Sequence, residues 1–276
     1  VRPGDEVIVF DPAYDLYDPA VTLAGGRCIH LPLDPDDFSI PWQALEQAVT
    51  DRTRLIMVNT PHNPCSSVLS AQDLDRLWQL VKDRNIFLVS DEVYEHIIFD
   101  GLTHQSLLRH DDLFRRSFVI SSFGKTYHMT GWRVGYCTAP EALSVEFRKV
   151  HQYVTFSIPN PLQNAFADML EARPDHARDL PDFYQAKRDF FSRAMAGSRF
   201  DFKPCSGSYF QLADYTRISD LGDLDFCYWM AENAGVVAVP VSVFYREPPR
   251  DQRLVRFCFC KGDDTLAEGA QRLSRI

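Results

Sequence analysis

The sequence lacks any apolar stretch long enough to cross a bilayer, and no signal-peptide pattern opens it. It also lacks a basic excess, because 29 Lys and Arg residues stand against 38 Asp and Glu residues, which gives a net charge of −9. An acidic chain of this kind is a poor ligand for anionic polymers and surfaces. These absences argue against a membrane protein and against a nucleic-acid-binding protein.

Paired cysteine spacings are missing too. The seven cysteines are an odd number, and none of them forms a metal-type motif with another. Cys258 and Cys260 alternate with Phe257 and Phe259, a pattern typical of a packed strand. We therefore predict no metal site, and we expect the chain to work in a reducing cytoplasm.

The chain does not begin with methionine. Val1 leads almost at once into the apolar run Val7–Phe10, which has the composition of a core strand. A core strand with no element before it is unusual for the start of a domain. We expect this sequence to be a partial chain.

Short apolar runs separated by helical patterns fill the first half of the sequence. Such runs suit parallel strands that are buried on both faces. Between two of them, apolar residues recur at helical spacing with charged residues on the other side. The runs are Val7–Phe10, Leu55–Val58, Ile86–Val89 and Phe118–Ile120, and the helical stripe is Leu74, Leu77, Trp78 and Val81. This order predicts an α/β fold with a mostly parallel, doubly wound sheet.

The pattern changes after Pro140. The next sixty residues favour helix, broken by Pro159, Pro161, Pro174 and Pro181. Beyond Phe200, short strands and helices alternate. The predicted strands are Tyr209–Leu212, Val236–Val239 and Leu254–Phe259, and the predicted helices are Asp223–Asn233 and Thr265–Leu273. We predict a large domain over residues 1–150 and a smaller α+β domain over residues 151–276.

The most informative motif is SSFGKTYHMTGWRVGY, from Ser121 to Tyr136. Lys125 follows the strand Phe118–Ile120, and Gly124 allows the backbone to turn sharply before it. A lysine held at a strand end in apolar surroundings has a lowered pKa and can attack a carbonyl carbon. Arg133, eight residues later, offers a planar fork that suits a phosphate. Together these residues predict a ligand that is an aldehyde and carries a phosphate.

At this motif the chain resembles the class I and II aminotransferases of fold type I, which use pyridoxal 5′-phosphate (PLP). The resemblance runs from Arg2 to Leu273 and is strongest to the kynurenine aminotransferase-like branch that includes the bacterial methionine aminotransferases. It implies the PLP-dependent transferase fold type I. It also implies that Lys125 forms the Schiff base with PLP, that Arg133 binds the phosphate, and that Ser122 is a further phosphate ligand.

Asp91 and Tyr94 follow another predicted strand in the run DEVYEHIIFDG. Ligands of a parallel sheet collect at the carboxyl ends of its strands, where Asp91 is expected. Taken alone, Asp91 could equally be the N-cap of a helix. The resemblance implies that Asp91 pairs with the pyridine nitrogen of PLP and that Tyr94 bonds the 3′-oxygen of the ring.

Asn63 and Tyr14 lie after two further strands. Asn-Pro is most often only a turn, but the resemblance implies that Asn63 contacts both the 3′-oxygen and the substrate carboxylate. By position Tyr14 corresponds to the aromatic residue that stacks on the PLP ring, although it could also be an ordinary core residue. We interpret Asn59 as structural and Tyr17 as a structural or interface residue.

Arg256 lies within the apolar run LVRFCFC. A buried charge needs a partner, and one possibility is a salt bridge within the protein. The resemblance instead implies that Arg256 grips the α-carboxylate of the substrate through two parallel hydrogen bonds.

The resemblance implies a PLP-dependent aminotransferase that moves the amino group of methionine or an aromatic amino acid to a 2-oxo acid through Lys125. It also implies a homodimer. One alternative is a carbon–sulfur β-lyase acting on cysteine conjugates, and another is the aminotransferase-like sensor domain of a transcription regulator. Because the family's N-terminal third is not in this sequence, we further expect the chain to bind PLP weakly and to have little activity alone.

Overall fold

A six-stranded sheet forms the first half of the molecule in the computed structural model, which describes residues 1–276. Its spatial order is β2-β1-β3-β4-β5-β6. The first five strands are parallel, and β6 pairs antiparallel with β5. The strands are β1 (Glu6–Asp11), β2 (Arg27–Pro32), β3 (Thr53–Asn59), β4 (Phe87–Asp91), β5 (Ser117–Ser122) and β6 (Gly135–Thr138).

Helices cover both faces of this sheet, as the sequence predicts. Alternate residues of a strand point to opposite faces. Ile8 and Phe10 of β1 accordingly pack in one apolar cluster with residues of α2 and α3, whereas Val7 and Val9 pack in another with α1. The helices are α1 (Tyr17–Leu23), α2 (Trp42–Ala48) and α3 (Ala71–Val81), followed by the short helices α4 (Asp111–Phe114) and α5 (Phe123–Thr126). Burial on both faces explains why the strands are continuous apolar runs.

Helix α3 begins with a capping box, which is a local sequence signal for a helix start. The Ser70 hydroxyl accepts from the backbone N–H of Asp73, and the Asp73 carboxylate accepts from the N–H of Ser70, which is a complete capping box. Leu74, Leu77 and Val81 of the predicted stripe are buried.

Three longer helices connect the two halves of the chain: α6 (Glu141–Val154), α7 (Asn160–Ala172) and α8 (His176–Met195). Pro159 precedes α7, and Pro174 lies between α7 and α8, as predicted. The prediction that Pro181 also breaks the helix is wrong, because it lies inside α8. Pro181 is close to the start of α8, so its ring removes a single helical hydrogen bond near the helix end, and packing on both sides outweighs that loss.

The last part of the chain forms a three-stranded antiparallel sheet of order β7-β9-β8. Its strands are β7 (Phe210–Asp214), β8 (Val239–Pro240) and β9 (Leu254–Cys258), and its helices are α9 (Asp223–Ala234) and α10 (Asp263–Leu273). The predicted strand Val236–Val239 is mostly wrong. Pairing with β9 starts only at Val239 and stops at Pro240, which has no N–H to donate.

A cluster of 23 buried residues forms the core of this second region. It contains side chains from α8, α10 and the small sheet, but also Tyr94, Ile97 and Phe99 from the loop after β4. Two regions with separate cores are therefore present, and the segment after β4 belongs to the second core. The division at residue 150 stays a prediction.

All seven cysteines are free thiols. None of the helices is both long enough and apolar enough to cross a membrane.

Candidate functional site

The carboxyl ends of the central strands meet at one edge of the large sheet. Asn59 at the end of β3 lies beside Asp91 at the end of β4. Asp91 in turn pairs with Ile120 of β5, which ends at Ser122. The parallel register thus brings together residues that are far apart in the sequence.

Asp91 carries a partly buried carboxyl group with few partners. One oxygen accepts a 2.6 Å hydrogen bond from the Tyr17 hydroxyl, and the other accepts from the N–H of Val93. Burial raises the pKa of Asp91, and these two hydrogen bonds oppose that rise. No helix follows Asp91, so the helix-cap alternative does not apply. The carboxylate is set to stabilise a cation that approaches it.

Tyr17 is a residue of the site that the sequence analysis missed. Its ring is buried, and its hydroxyl is the main hydrogen-bond donor to Asp91. Tyr14 lies edge-on to it, with the ring centroids 5.6 Å apart. No local pattern identifies Tyr17 as a site residue, because Tyr14 lies in the loop before α1 and the contact with Asp91 forms only in the folded chain.

Tyr14 is 37% exposed, so it is not an ordinary core residue. It lies in the loop before α1, with its ring in edge-on contact with Tyr17. An aromatic ring held in this way leaves a face for a flat ligand.

Lys125 is on the short helix α5, directly after β5. The Ser122 hydroxyl caps this helix by accepting from the N–H of Gly124. The Lys125 Nζ lies 5.6 Å from the centroid of the Tyr94 ring and forms no ion pair. Burial lowers the pKa of Lys125, and the charge of Arg133 lowers it further. The structure therefore favours the neutral, nucleophilic form of this amine.

Gly124 has a role that differs from the predicted sharp turn. A Cβ at this position would lie 3.0 Å from the Cα of Thr130 and 3.2 Å from the carbonyl oxygen of Met129. Glycine is needed here because the segment after α5 folds back closely against it.

Arg133 adopts the left-handed conformation, with φ of 57°, where the chain turns into β6. One guanidinium nitrogen donates to the carbonyl oxygen of Thr130, and no carboxylate pairs with the group. The hydroxyl of Ser122 lies within 3.5 Å of the Val134 carbonyl oxygen, next to Arg133. The backbone next to Arg133 thus lies close to Ser122 at the start of α5, and the guanidinium of Arg133 has donors available for an anion.

Tyr94 is buried between the two regions of the molecule. Its ring lies edge-on to Tyr209 and Phe210, with centroid distances of 5.2 and 5.8 Å. Burial raises the pKa of Tyr94, so its hydroxyl keeps its proton. It is a fixed hydroxyl next to Lys125.

Arg256 extends from β9 toward the end of β3. Its guanidinium carbon lies 4.0 Å from the centroid of the Phe210 ring and 4.9 Å from that of Phe244. One terminal nitrogen donates to the side-chain oxygen of Asn63, and the buried Nε has no partner. The internal salt bridge considered for Arg256 is absent. Its charge and its unpaired N–H fit a carboxylate ligand.

Asn59 fastens the loop that carries Asn63. Its amide nitrogen donates to the carbonyl oxygen of Asp91 at 2.8 Å, and its oxygen accepts from the backbone N–H of Asn63 at 2.7 Å. Since Asn63 accepts from Arg256 through its side-chain oxygen, its amide nitrogen is left to donate to a ligand. These bonds agree with the structural interpretation of Asn59.

The site thus combines three basic side chains with one partly buried acidic group. The charges of Arg133, Asp91 and Arg256 all act on Lys125, which places the four groups in one neighbourhood. Such a site can hold a ligand that has separate anionic groups and one cationic nitrogen.

Comparisons with known proteins find a matching family and several similar proteins. A family model described as aminotransferase class I and II matches residues 1–273. Methionine aminotransferase of Escherichia coli K12 is 50% identical over 276 residues, which are 100% of this chain and 71% of that protein. Kynurenine–oxoglutarate transaminase 1 of the rat is 31% identical, over 100% of this chain and 72% of that protein.

A solved structure shows the same fold. The crystal structure of an Escherichia coli protein identified as a methionine aminotransferase superposes with a TM-score of 0.97 at 50% identity. The match covers 100% of this chain and 73% of that one.

Proposed function

Because the chain belongs to the class I and II aminotransferases, a family of PLP-dependent transaminases with fold type I, we propose that its amino donor is methionine or an aromatic amino acid. The acceptor is a 2-oxo acid. The observation that carries the donor class is the 50% identity to a protein named methionine aminotransferase. The transamination chemistry is supported by Lys125, whose pKa is lowered by burial, and by Arg256, a guanidinium without a carboxylate partner.

The residues of the site fit the cofactor. When bound, PLP supplies an aldehyde that condenses with amines and a ring that accepts electron density from the substrate carbon. Asp91 would hold the protonated ring nitrogen, which fits a partly buried carboxyl group that forms no ion pair within the chain. Tyr14 would lie against the ring, and the hydroxyl of Tyr94 with the amide of Asn63 would hold its 3′-oxygen.

Ser122 and Arg133 would hold the phosphate. Arg133 has no carboxylate partner, and the Ser122 hydroxyl at the start of α5 lies near the backbone of Val134, the residue after Arg133. Helix α5 is a single turn, so the guanidinium is the main source of attraction for the phosphate.

Lys125 would move the proton. Its lowered pKa favours the neutral amine, which is the form that removes a proton from the α-carbon of the substrate. The ammonium form that results then returns the proton at a neighbouring carbon. Burial and the charge of Arg133 both lower the pKa of Lys125, which makes its ammonium form a stronger acid than that of a free lysine.

Arg256 and Asn63 would orient the substrate. The guanidinium contacts the rings of Phe210 and Phe244 and bonds Asn63, so its position is restrained before the amino acid arrives. The amide nitrogen of Asn63 adds a donor beside it. This rigidity reduces the entropy that substrate binding costs.

The choice of donor rests on relatives. The relative at 50% identity is named for methionine, and the rat relative is named for kynurenine, an amino acid with an aromatic side chain. The relatives compared above are all named as aminotransferases or transaminases, which does not favour the lyase or the sensor alternative. We further propose that the enzyme works in the cytoplasm as a homodimer, as the family resemblance implies.

The test is a panel of amino donors with a fixed 2-oxo acid and PLP at saturating concentration, so that the expected weak cofactor binding does not decide the relative rates of the donors. We expect methionine, phenylalanine, tyrosine and kynurenine to react faster than aspartate, and Lys125→Ala to abolish turnover and the borohydride-reducible adduct. Lys149→Ala, on the exposed face of α6, is the control and should keep full activity.

Two results would contradict the proposal. Preference for aspartate would overturn the donor class, and turnover in Lys125→Ala would overturn the role of the lysine. Release of pyruvate and ammonia from a cysteine conjugate, without amino-group transfer, would favour the lyase.

A further inference from the structure

A second cluster of ligand-type side chains lies beside α1, on the edge of the large sheet. Cys28 and His30 are two residues apart on β2, so they project from the same face of this edge strand. Asp18 is in the first turn of α1, which packs against β2. Each of the three is partly buried, so each is shielded but reachable from solvent.

The three side chains are close enough to share one ion. One ligand atom from each of Asp18, Cys28 and His30 lies within 4.8 Å of the other two. The Nε2 of His30 is 3.2 Å from an oxygen of Asp18. Two ligands that are each about 2.0–2.1 Å from a tetrahedral metal ion have a similar separation.

Asp11 supplies the support that a metal-bound histidine requires. Its buried carboxylate is 2.8 Å from the Nδ1 of His30. The other oxygen of Asp11 accepts from the backbone N–H of Arg246, which fixes the carboxylate. A carboxylate on Nδ1 orients the imidazole so that Nε2 points toward the ion, as in many zinc sites.

We propose that Asp18, Cys28 and His30 bind a zinc ion. A mixed set of one sulfur, one nitrogen and one oxygen suits Zn²⁺ and not Mg²⁺ or Ca²⁺, which prefer oxygen. The thiol releases its proton to solvent on binding, so a thiolate and a carboxylate balance the charge of the ion. The fourth position is left for water.

Arg246 is the group that competes with the metal. Its guanidinium lies 3.7 Å from the Asp18 carboxylate, but the side chain is 69% exposed and can move into solvent. Without metal, His30 bridges Asp11 and Asp18 by hydrogen bonds. Zinc replaces the bridge to Asp18 and keeps the bond to Asp11.

A zinc ion bound to Asp18 would restrain the neighbouring residue Tyr17. Asp18 directly follows Tyr17, whose hydroxyl bonds Asp91. An ion that joins Asp18 to β2 fastens the start of α1 to the sheet. The zinc proposal stands whether or not the proposed donor is correct.

Cobalt titration of the chain, with its cofactor content unchanged, tests the site. We expect one Co²⁺ per chain, with the visible ligand-field bands of a tetrahedral ion and a thiolate-to-metal charge-transfer band in the difference spectrum. Zn²⁺ should displace the Co²⁺ and abolish both. Asp11→Asn keeps all three ligands and should weaken binding about 10–100-fold.

Two variants separate this site from accidental binding. Cys28→Ser should lose the charge-transfer band, whereas Cys137→Ser, which removes another partly buried free thiol, should keep it. The proposal is overturned if the unaltered chain binds no stoichiometric Co²⁺, or if the band survives in Cys28→Ser. The first of these two results is measured on the unaltered chain, so it does not depend on whether a variant folds.

Discussion

Single hydrogen bonds decide the electrostatics at the end of β4. Asp91 faces two opposing effects, because burial favours its neutral form and the Tyr17 hydroxyl favours its ionised form. Lys125 experiences burial in the opposite sense, since its neutral form is the one that burial favours. Their surroundings therefore tune one acid and one base within a single site.

Tyr17→Phe tests the first of these effects. The variant keeps the buried ring but removes the hydroxyl, so the pKa of Asp91 should rise. A hydrogen bond to a charged group contributes about 1.5–3 kcal/mol, so a shift of about 1–2 pH units is expected. The acid limb of the kcat/KM profile should move to higher pH by this amount. Tyr228→Phe, on the exposed face of α9, should leave the profile unchanged; an unmoved limb in Tyr17→Phe would show that the bond does not tune Asp91.

Lys125 should be reactive at lower pH than a free lysine. In the cofactor-free chain, competitive labelling with an amine reagent should reach half its maximum at a lower pH in the native state than after denaturation. Burial penalises the ammonium form only in the folded state, so this lysine costs stability fully below its folded pKa, and the cost vanishes as the pH approaches 10.5. Identical labelling curves for native and denatured chains would contradict the lowered pKa.

The secondary-structure elements could be predicted where one local signal was strong. The buried parallel strands are apolar runs, and α3 has both a capping box and an apolar stripe. The edge strands β2 and β6 were not predicted because each is only partly buried and has a mixed sequence. Pro181 was misinterpreted because local sequence does not show how far packing extends α8 toward its N-terminus.

Residues of the candidate site could likewise be predicted from sequence where a local motif or the family resemblance pointed to them. Lys125 and Arg133 lie in one motif, so sequence could identify them, and the family resemblance supplied roles for Asp91, Asn63 and Arg256. The bond between Tyr17 and Asp91 joins residues 74 positions apart, and no local pattern encodes it. The same holds for the cluster of Asp18, Cys28 and His30, which exists only once α1 lies on β2.

The cap of α3 can be tested alone. Ser70→Ala removes the hydroxyl that accepts from the N–H of Asp73, and it should lower the free energy of unfolding by about 1 kcal/mol. Chemical denaturation measures this loss. Gln72→Ala, at an exposed position of the same helix, should change stability by much less, and an equal loss in both variants would contradict a role for the cap.

At the scale of the whole molecule, the two sheets are joined next to the site. The Ser66 and Ser208 hydroxyls are 2.7 Å apart, and Ser66 also donates to the carbonyl oxygen of Phe210. Gly207 makes the closest approach, where an added Cβ would lie 2.8 Å from the Cβ of Pro61 and 3.0 Å from the carbonyl oxygen of Ile97. The loop that carries Asn63 is thereby held against the small sheet.

Gly207→Ala should push the segment that carries Gly207 away from Pro61 and from the backbone of Ile97. Overpacking of this kind costs about 1–3 kcal/mol, so the melting temperature should fall. The KM for the amino acid should rise more than kcat falls, because Asn63 and Arg256 lose their alignment. Gly197→Ala is the control, since a Cβ there meets no atom within 4 Å. An unchanged KM in Gly207→Ala would show that the contact does not align the substrate-binding residues.

The location of Arg256 on the antiparallel sheet, with Lys125 on α5 directly after a strand of the parallel sheet, has a mechanical consequence. The proposed grip on the carboxylate comes from the small sheet, and most of the groups proposed to hold the cofactor lie at the strand ends of the large sheet. A hinge motion that separates them would let the amino acid or its oxo-acid product leave while the vitamin-derived group stays in place. Both half-reactions would then run on the same bound cofactor.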